Sequence, residues 1–539
     1  MDRLTTEDSA ERPLHPDPLE CPSLAIGAMA NSKPFPASAA HQTALGFPGE
    51  LVENWQEKAI AKLGDLVRNN RALRFYLDGC VRCGACTDKC HYFLGTGDPN
   101  NMPVARQNLM RKVYRRHFTL SGRIAPSLVG AEDLTREVLD EWYTYFHQCS
   151  QCRRCSVYCP FGIDTAEISM AAREIMDHIG MGQKYCNEII GKVFKVGNNL
   201  GLPPKALKAT LASLEEEIEE DTGVPVRLPL DEEGADILLV TPSADFFASP
   251  HMEGLIGYAK VLHESGVSWT FSSHASEAAN FGMFIGSHET MQKVAQRIAD
   301  AARDLKVKRI VFGECGHAWR VAYNFLDTLA GPFDFLDRRY PVPQHICEFT
   351  HDLIRQGKLT LDKSKNDHIR LTFHDSCNVA RASRMGDVPG GQFEIPRAIL
   401  RASCNHYYDM DPDTIREATL CCGGGGGLLT DELMDLRIKG ASPRMKALRE
   451  VADEHGVTHM AAICAICKAQ FSKVLPKFGF DMEAIVSVHQ MVSNAIVLTG
   501  SKQDEEANEA DEQAEPVPAV AVPAETAEPA QAANAQEEA

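Results

Sequence analysis

The sequence predicts an α+β multidomain fold: a mostly helical region followed by a duplicated pair of α/β units. Three observations predict it. Two cysteine runs of the same spacing lie inside one helical stretch. From residue 235 short apolar strands begin to alternate with helices. That alternation then repeats once before residue 498.

Taken in order, residues 1–50 are rich in Pro, Ala and acidic groups and read as an irregular extension. Leu51, Trp55, Ala59, Leu63 and Leu66 recur at helical spacing and lead into the first cysteine run. The 58 residues between Cys90 and Cys149 include a helix expected over 131–146, with Asp133 near its start. Thr165–Ile179 reads as a helix capped by Asp164 or Thr165. Residues 51–190 therefore form a helical domain, and 191–234 a helical linker whose acidic run Glu215–Glu220 is a solvated face.

The first α/β half spans 235–345. Its expected strands are Ile237–Thr241, Ser268–Phe271 and Lys308–Phe312, and its helices Glu253–Ser265 and His288–Leu305. A connecting segment, 346–370, holds a helix at 348–357. The second half, 371–498, repeats the pattern: strand Ile369–Phe373, helices Ala398–Arg401 and Asp431–Val451, strand His459–Ile463, helix Lys468–Leu475. Aligned by eye, Leu238-Leu239-Val240 matches Leu371-Thr372-Phe373, and Asn280-Phe281-Gly282 matches Cys421-Cys422-Gly423. Val311 to Cys315 matches the strand and turn before Cys464 and Cys467. Residues 499–539 read as a disordered acidic tail.

Composition excludes several classes. The net charge is −19, and residues 501–539 alone carry eleven acidic groups against one Lys, so no basic stripe suits a nucleic-acid backbone. No apolar run follows a basic start, and none approaches the ~18 residues of a membrane span. The chain is expected in the cytoplasm, with its eighteen cysteines reduced or metal-bound.

Cys80, Cys83, Cys86 and Cys90 read C-x2-C-x2-C-x3-C, and Cys149, Cys152, Cys155 and Cys159 repeat it, followed by Pro160. This is the ligand run of a ferredoxin-type protein with two cubane [4Fe–4S] clusters, the fourth cysteine of each run reaching the other cube. Zinc uses separated pairs and fits less well. A second constellation holds Cys377, Cys421-Cys422-Gly423 and Cys464-x2-Cys467. Adjacent cysteines ahead of a glycine run argue against scattered buried thiols. No Lys-Ser/Thr follows the glycines, which argues against a nucleotide loop. Gly423, Gly424 and Gly425 are expected to bring backbone N–H groups close to cluster sulfur. Cys21, Cys186, Cys347 and Cys404 read as structural thiols, and His489 as a structural histidine.

The pattern C…CCG…C-x2-C resembles the CCG-domain family of heterodisulfide reductases, over residues 51 to about 498. The words Gly313-Glu314-Cys315-Gly316-His317-Ala318-Trp319-Arg320, His374-Asp375-Ser376-Cys377-Asn378 with Arg381, Pro396-Arg397 and Cys421-Cys422 with five glycines resemble DsrK-type subunits of membrane-bound DsrMKJOP complexes. The resemblance implies a non-cubane [4Fe–4S] cluster on Cys377, Cys421, Cys422, Cys464 and Cys467 that cleaves disulfides. It implies a membrane cytochrome b-type partner (DsrM-like), the other DsrMKJOP subunits, and a DsrC-like small protein substrate bearing a disulfide or trisulfide. It places the chain at the cytoplasmic face of the membrane through a partner. Asn280 and Phe281 stand where the first half would need paired cysteines, so one special cluster is expected, not two. Cys315 is either an extra ligand or a thiol near the substrate sulfur, and His317, His374 and Lys468 are candidate proton donors. Three competing readings remain: a reductase of a small-molecule heterodisulfide, the iron–sulfur subunit of a hydroxy-acid oxidase, and a relay without chemistry.

Overall fold

The computed structural model describes residues 50–275, 280–501 and Asp504. The expected terminal extension and tail, and Cys21, lie almost wholly outside them. The N-terminal region is all-helical. Helix Trp55–Asn69 buries Ala59, Leu63 and Val67. Asn70 then caps Arg71–Gly79 through its side chain. The helix expected from Ala131 begins at Arg136, because Thr135 supplies the cap: its side chain accepts from Val138 N. That helix buries Trp142, which meets Phe146 edge to face at 5.5 Å. Asp164 caps Thr165–His178 by accepting from the N–H groups of Ala166 and Glu167. Helix Pro103–Phe118 went unread in the sequence, because its buried face carries Arg106, Gln107 and Arg111 and breaks the apolar periodicity. Arg106 lies buried with its Nε donating to Tyr145 O at 2.7 Å.

The remainder is two parallel sheets of matching topology. Strands β1 (Ile237–Val240), β2 (Trp269–Thr270), β3 (Arg309–Phe312) and β4 (Gln344–His345) form one, in the order β2-β1-β3-β4. A short antiparallel pair, β5 (Thr360–Leu361) with β9 (Ile496–Val497), closes the second half onto the connecting segment. Between them β6 (Leu371–His374), β7 (His459–Ala462) and β8 (Ile485–Ser487) run β6-β7-β8, and Tyr407 bridges to Leu371 in the place of β2. The duplication therefore extends to strand order and register: Ile237 pairs with Arg309 and Trp269 as Leu371 pairs with His459 and Tyr407. The alignment by eye was one residue out of phase, since Ile237, not Leu238, is the counterpart of Leu371.

The halves are related by an approximate two-fold. Each last strand runs straight into a helix, Ile346–Arg355 or Val488–Ala495, closed by a capping box. Glu348 Oε2 accepts from His345 N at 2.6 Å, and Gln490 Oε1 from Ser487 N at 3.3 Å. Helix His251–Ser265 of one half packs on Val488–Ala495 of the other, and Gly391–Ser403 packs on Ile346–Arg355. A Cβ at Gly257 would overlap the carbonyl of His489, so the first crossing requires glycine. Among the described residues no helix is long and apolar enough to cross a membrane.

Candidate redox site

The two cysteine runs adopt the same backbone. Arg82 and Gly84 in the first, and Gln151 and Arg153 in the second, all have positive φ (58°, 81°, 58° and 61°). These occupy the second and fourth positions after the leading cysteine, and each reversal curls the chain so that thiols converge. Cys80, Cys83 and Cys86 line one cavity with Cys155 and Cys159. Burial, with Cys159 and Cys80 beside it, pushes the Cys86 thiol up to about 12. Burial likewise raises Cys155, whose neighbours are Cys152, Cys149, Cys86 and Cys90. The last cysteine of each run thus lies among the first three of the other.

The second constellation is assembled by three loops. Cys377 opens a helix just after β6, Cys421 and Cys422 lie in the irregular stretch before helix Met434–His455, and Cys464 precedes helix Ala465–Val474, one turn before Cys467. All five are buried. Cys421 meets Cys377, Cys422 and Cys152; Cys422 meets Cys467; Cys464 meets Cys467 and Cys315. Hydrogen bonds from Cys421 and Cys467 hold Cys422 well below the ordinary thiol range.

Donors surround this sulfur. The N–H groups of Gly423 and Gly424 point to Cys421 Sγ and Cys422 Sγ, each at 3.4 Å. His317 Nδ1 is 3.5 Å from Cys464 Sγ, and its buried Nε2 has no partner among the described residues. Among the described residues neither ring nitrogen of His374 has a partner, nor has Ser376 Oγ, and all three atoms are buried. Burial lowers the His374 pKa to about 3, so its ring is neutral and keeps one N–H to donate. Soft thiolates enclosed by orphaned donors fit an iron–sulfur group, whose sulfur accepts hydrogen bonds. Lys468 is placed differently. Its buried ammonium donates to Ser487 Oγ at 2.7 Å and pairs with Glu314 Oε2 at 3.3 Å, and His489 Nδ1 meets Glu314 Oε1 at 2.7 Å. Burial alone would raise Glu314, but Lys468 and His489 overcome it and hold the carboxyl at about 2.

The glycine run has a second role. A Cβ on Gly425 would stand 2.9 Å from Ser150 O, and one on Gly426 2.7 Å from Cys149 O. The run therefore lies flush against the second cysteine run. Tyr92 Oη donates to Gly423 O at 2.7 Å, Arg173 Nη1 to Gly426 O at 3.1 Å and Gln183 Nε2 to Gly427 O at 2.6 Å. Arg173 also binds the carbonyls of Phe146, His147, Cys149 and Phe284, which locks three parts of the chain together.

The comparisons with known proteins agree with this geometry. The 4Fe-4S dicluster domain family matches residues 76–163, and the cysteine-rich CCG domain family matches residues 371–472. The Hdr-like menaquinol oxidoreductase iron–sulfur subunit 2 of Archaeoglobus fulgidus is 41% identical over 487 residues, 85% of this chain and 86% of that one. Its Archaeoglobus profundus counterpart is 40% identical over the same shares. The chain belongs to the family of Hdr-like menaquinol oxidoreductase iron–sulfur subunits. A subunit of the dihydromethanophenazine:CoB–CoM heterodisulfide reductase of Methanosarcina mazei is 23% identical, over 78% of this chain and 94% of that one. No solved structure gives a significant match. This Hdr-like subunit is thus an iron–sulfur oxidoreductase.

Sequence reasoning missed how the Hdr-like subunit joins its two cysteine sets. Ser150 Oγ lies 3.3 Å from His91 Nε2 and 3.3 Å from Cys421 Sγ, and Cys152 Sγ lies 3.9 Å from His91 Nδ1. His91 and Ser150 directly adjoin Cys90 and Cys149, but nothing in the sequence shows that they face Cys421. Sequence reasoning also missed a cavity of about 160 Å³ that Cys315 and Gly424 help to line.

Proposed function

We propose that this subunit carries electrons between a quinone-linked membrane partner and a disulfide or trisulfide, in the manner of the DsrK-type subunits it resembles. Cys80, Cys83, Cys86 and Cys159 would hold one cubane, Cys149, Cys152, Cys155 and Cys90 the other, and Cys377, Cys421, Cys422, Cys464 and Cys467 the non-cubane cluster. When bound, these clusters supply single-electron transfer, with reduction potentials set by their surroundings. The observation that carries the reading is the contact of Cys152 with Cys421, flanked by His91 and Ser150. It brings the second cysteine run against the five-cysteine site, so electrons entering through the ferredoxin-type region have a direct exit there.

The chain's own residues shape that exit. Gly423 and Gly424 aim N–H groups at sulfur, His317 and His374 hold imidazole rings beside it, and Gly425 and Gly426 lie flush against the second cysteine run. A membrane cytochrome b-type subunit at the cytoplasmic face is the proposed electron donor, in keeping with the menaquinol oxidoreductase names of the relatives. A DsrC-like protein is the proposed acceptor. A second reading, a small-molecule heterodisulfide, is favoured by the likeness to the Methanosarcina heterodisulfide reductase. The test is anaerobic: reduce the cluster-replete protein, add DsrC trisulfide or a small heterodisulfide, and follow reoxidation. Rapid reoxidation by the protein trisulfide alone supports the first reading, and by the small disulfide alone the second. No response to either would sink both.

A further inference from the structure

One stretch of the N-terminal region stands apart in charge. The chain carries −19 overall, yet residues 103–131 hold six Lys or Arg and no Asp or Glu. They form helix Pro103–Phe118 and two short helices, Leu120–Ile124 and Pro126–Val129, folded back on its end as a knob. Thr119 caps the first short helix, its hydroxyl accepting from Gly122 N at 3.1 Å. Arg115 Nη1 donates to Val129 O at 2.9 Å and ties down the second.

The knob presents its apolar side chains to the outside. Gly122 is buried, and a Cβ there would overlap the carbonyl of Arg115, so the glycine face is the one packed on the long helix. Leu120 and Ile124 lie one turn apart on the opposite face, each 74% exposed, and Leu128 follows at 86%. These are the three most exposed large hydrophobic side chains among the described residues. Single exposed aliphatics are ordinary, but three gathered on one knob mark a contact surface. The charge beside them is also unspent. Lys112 pairs with Glu132 and Arg116 with Asp133. Arg115 and Arg123 instead donate to the carbonyls of Val129 and His117, and neither has an ion-pair partner among the described residues.

We infer that this knob seats directly in a membrane surface rich in anionic lipid, with Leu120, Ile124 and Leu128 among the acyl chains and Arg115 and Arg123 at the phosphates. Aliphatic tips with guanidinium groups beside them match the boundary between acyl chains and headgroups. A negatively charged leaflet attracts the local positive charge and repels the rest of this acidic chain, so it selects the knob as the point of contact. A protein partner fits less well, because interface cores favour aromatic residues and Met, and residues 119–130 hold no Trp, Tyr, Phe or Met. The contact belongs to the chain itself and adds to any that a membrane subunit makes.

The test is anaerobic flotation of the full-length, cluster-replete chain with two kinds of vesicle: equimolar phosphatidylglycerol and phosphatidylcholine, or phosphatidylcholine alone. The chain should float with the anionic vesicles, bind the neutral ones about tenfold more weakly, and leave the anionic ones in high salt. Leu120→Ser, Ile124→Ser and Leu128→Ser should each weaken binding about tenfold, and the triple variant should not float. Arg123→Gln should weaken binding to anionic vesicles about fivefold and leave neutral vesicles unaffected. Val388→Ser, at an apolar site 68% exposed in the second α/β half, should float like wild type. All these side chains are exposed, so melting temperature and iron content should hold steady and separate loss of the contact from misfolding. Flotation of the triple variant at the wild-type level would overturn the inference, as would equal binding to both vesicles at every salt concentration, or no flotation of wild type with either. If lipid vesicles bind nothing while native membranes capture the chain through the same three residues, the patch belongs to a membrane protein and the lipid assignment falls. No electron transfer enters the assay, so the disulfide-reducing reading stands or falls on its own test.

Discussion

Arg397 should be the most costly single side chain to remove near the five-cysteine site. Its Nη1 and Nη2 each donate to one Asp375 oxygen at 2.7 Å, and its Nε donates to Asp409 Oδ1 at 2.9 Å. Both Arg397 and Asp375 are buried, with side chains 0% and 2% exposed. Asp375 also accepts from Arg416 N at 2.8 Å, and its own carbonyl accepts from the Thr419 hydroxyl at 2.8 Å. The pair thus holds the loop that begins Cys377 against the loop that ends in Cys421. Arg397→Met keeps much of the volume but strands a buried carboxylate. Removing one partner of such a pair costs about 3–5 kcal/mol. At about 2–4 °C per kcal/mol for a unit of 150–250 residues, the melting temperature should fall by roughly 6–20 °C. The assay is a thermal melt of the holoprotein with iron counted before and after purification. The double variant Asp375→Asn/Arg397→Met should recover at least about half of the loss, because the stranded charge is gone. If Arg397→Met melts within about 2 °C of wild type, the argument that this ion pair positions the cysteine loops fails.

Gly426→Ala should part the seam, since φ is +71° and the new Cβ meets Cys149 O; strain of about 1–3 kcal/mol is expected, read as slower cluster-to-cluster electron transfer in stopped flow. Ser150→Ala removes a hydrogen bond shared by His91 and Cys421. A loss of about 1 kcal/mol converts to roughly 40 mV for one electron, and an EPR-monitored titration should show the five-cysteine site more reducing by that amount. Asp245 is buried beside Thr241, facing Lys468 and Glu314, and burial raises its carboxyl from 3.8 to about 7. The folded chain therefore binds this proton when the unfolded chain has lost it, so stability should fall as pH rises from about 4 through 7, by roughly 4 kcal/mol at most. Asp245→Asn should flatten that part of the pH–melting profile, and an unchanged slope would count against it.

The two cysteine sets were legible as sets because their spacing is local. Spacings of two and three residues dictate turns, and the structure shows those turns as matching positive-φ positions at Arg82 and Gln151. The alternation of strand and helix was equally legible, but its phase was not. β1 and β6 are buried at every position, so neither carries the inside–outside alternation that fixes register, and the alignment slipped by one residue. Helix Pro103–Phe118 was hidden because its inward face holds Arg106 and Arg111, and the burial of Arg106 depends on Tyr145 O and Asn101 Oδ1 supplied from elsewhere. The words Asp375 and Pro396-Arg397 stood in the sequence as fragments of a resemblance; only folding made them an ion pair. The sequence by itself determined which metal chemistry the chain carries, since thiolate type and spacing select it. Tertiary structure decided the rest: that Ser150 bridges to Cys421 across 271 residues, that Lys468 is consumed by Glu314, and that Cys315 and Gly424 line one cavity. Each depends on packing between distant segments, and no local spacing encodes that.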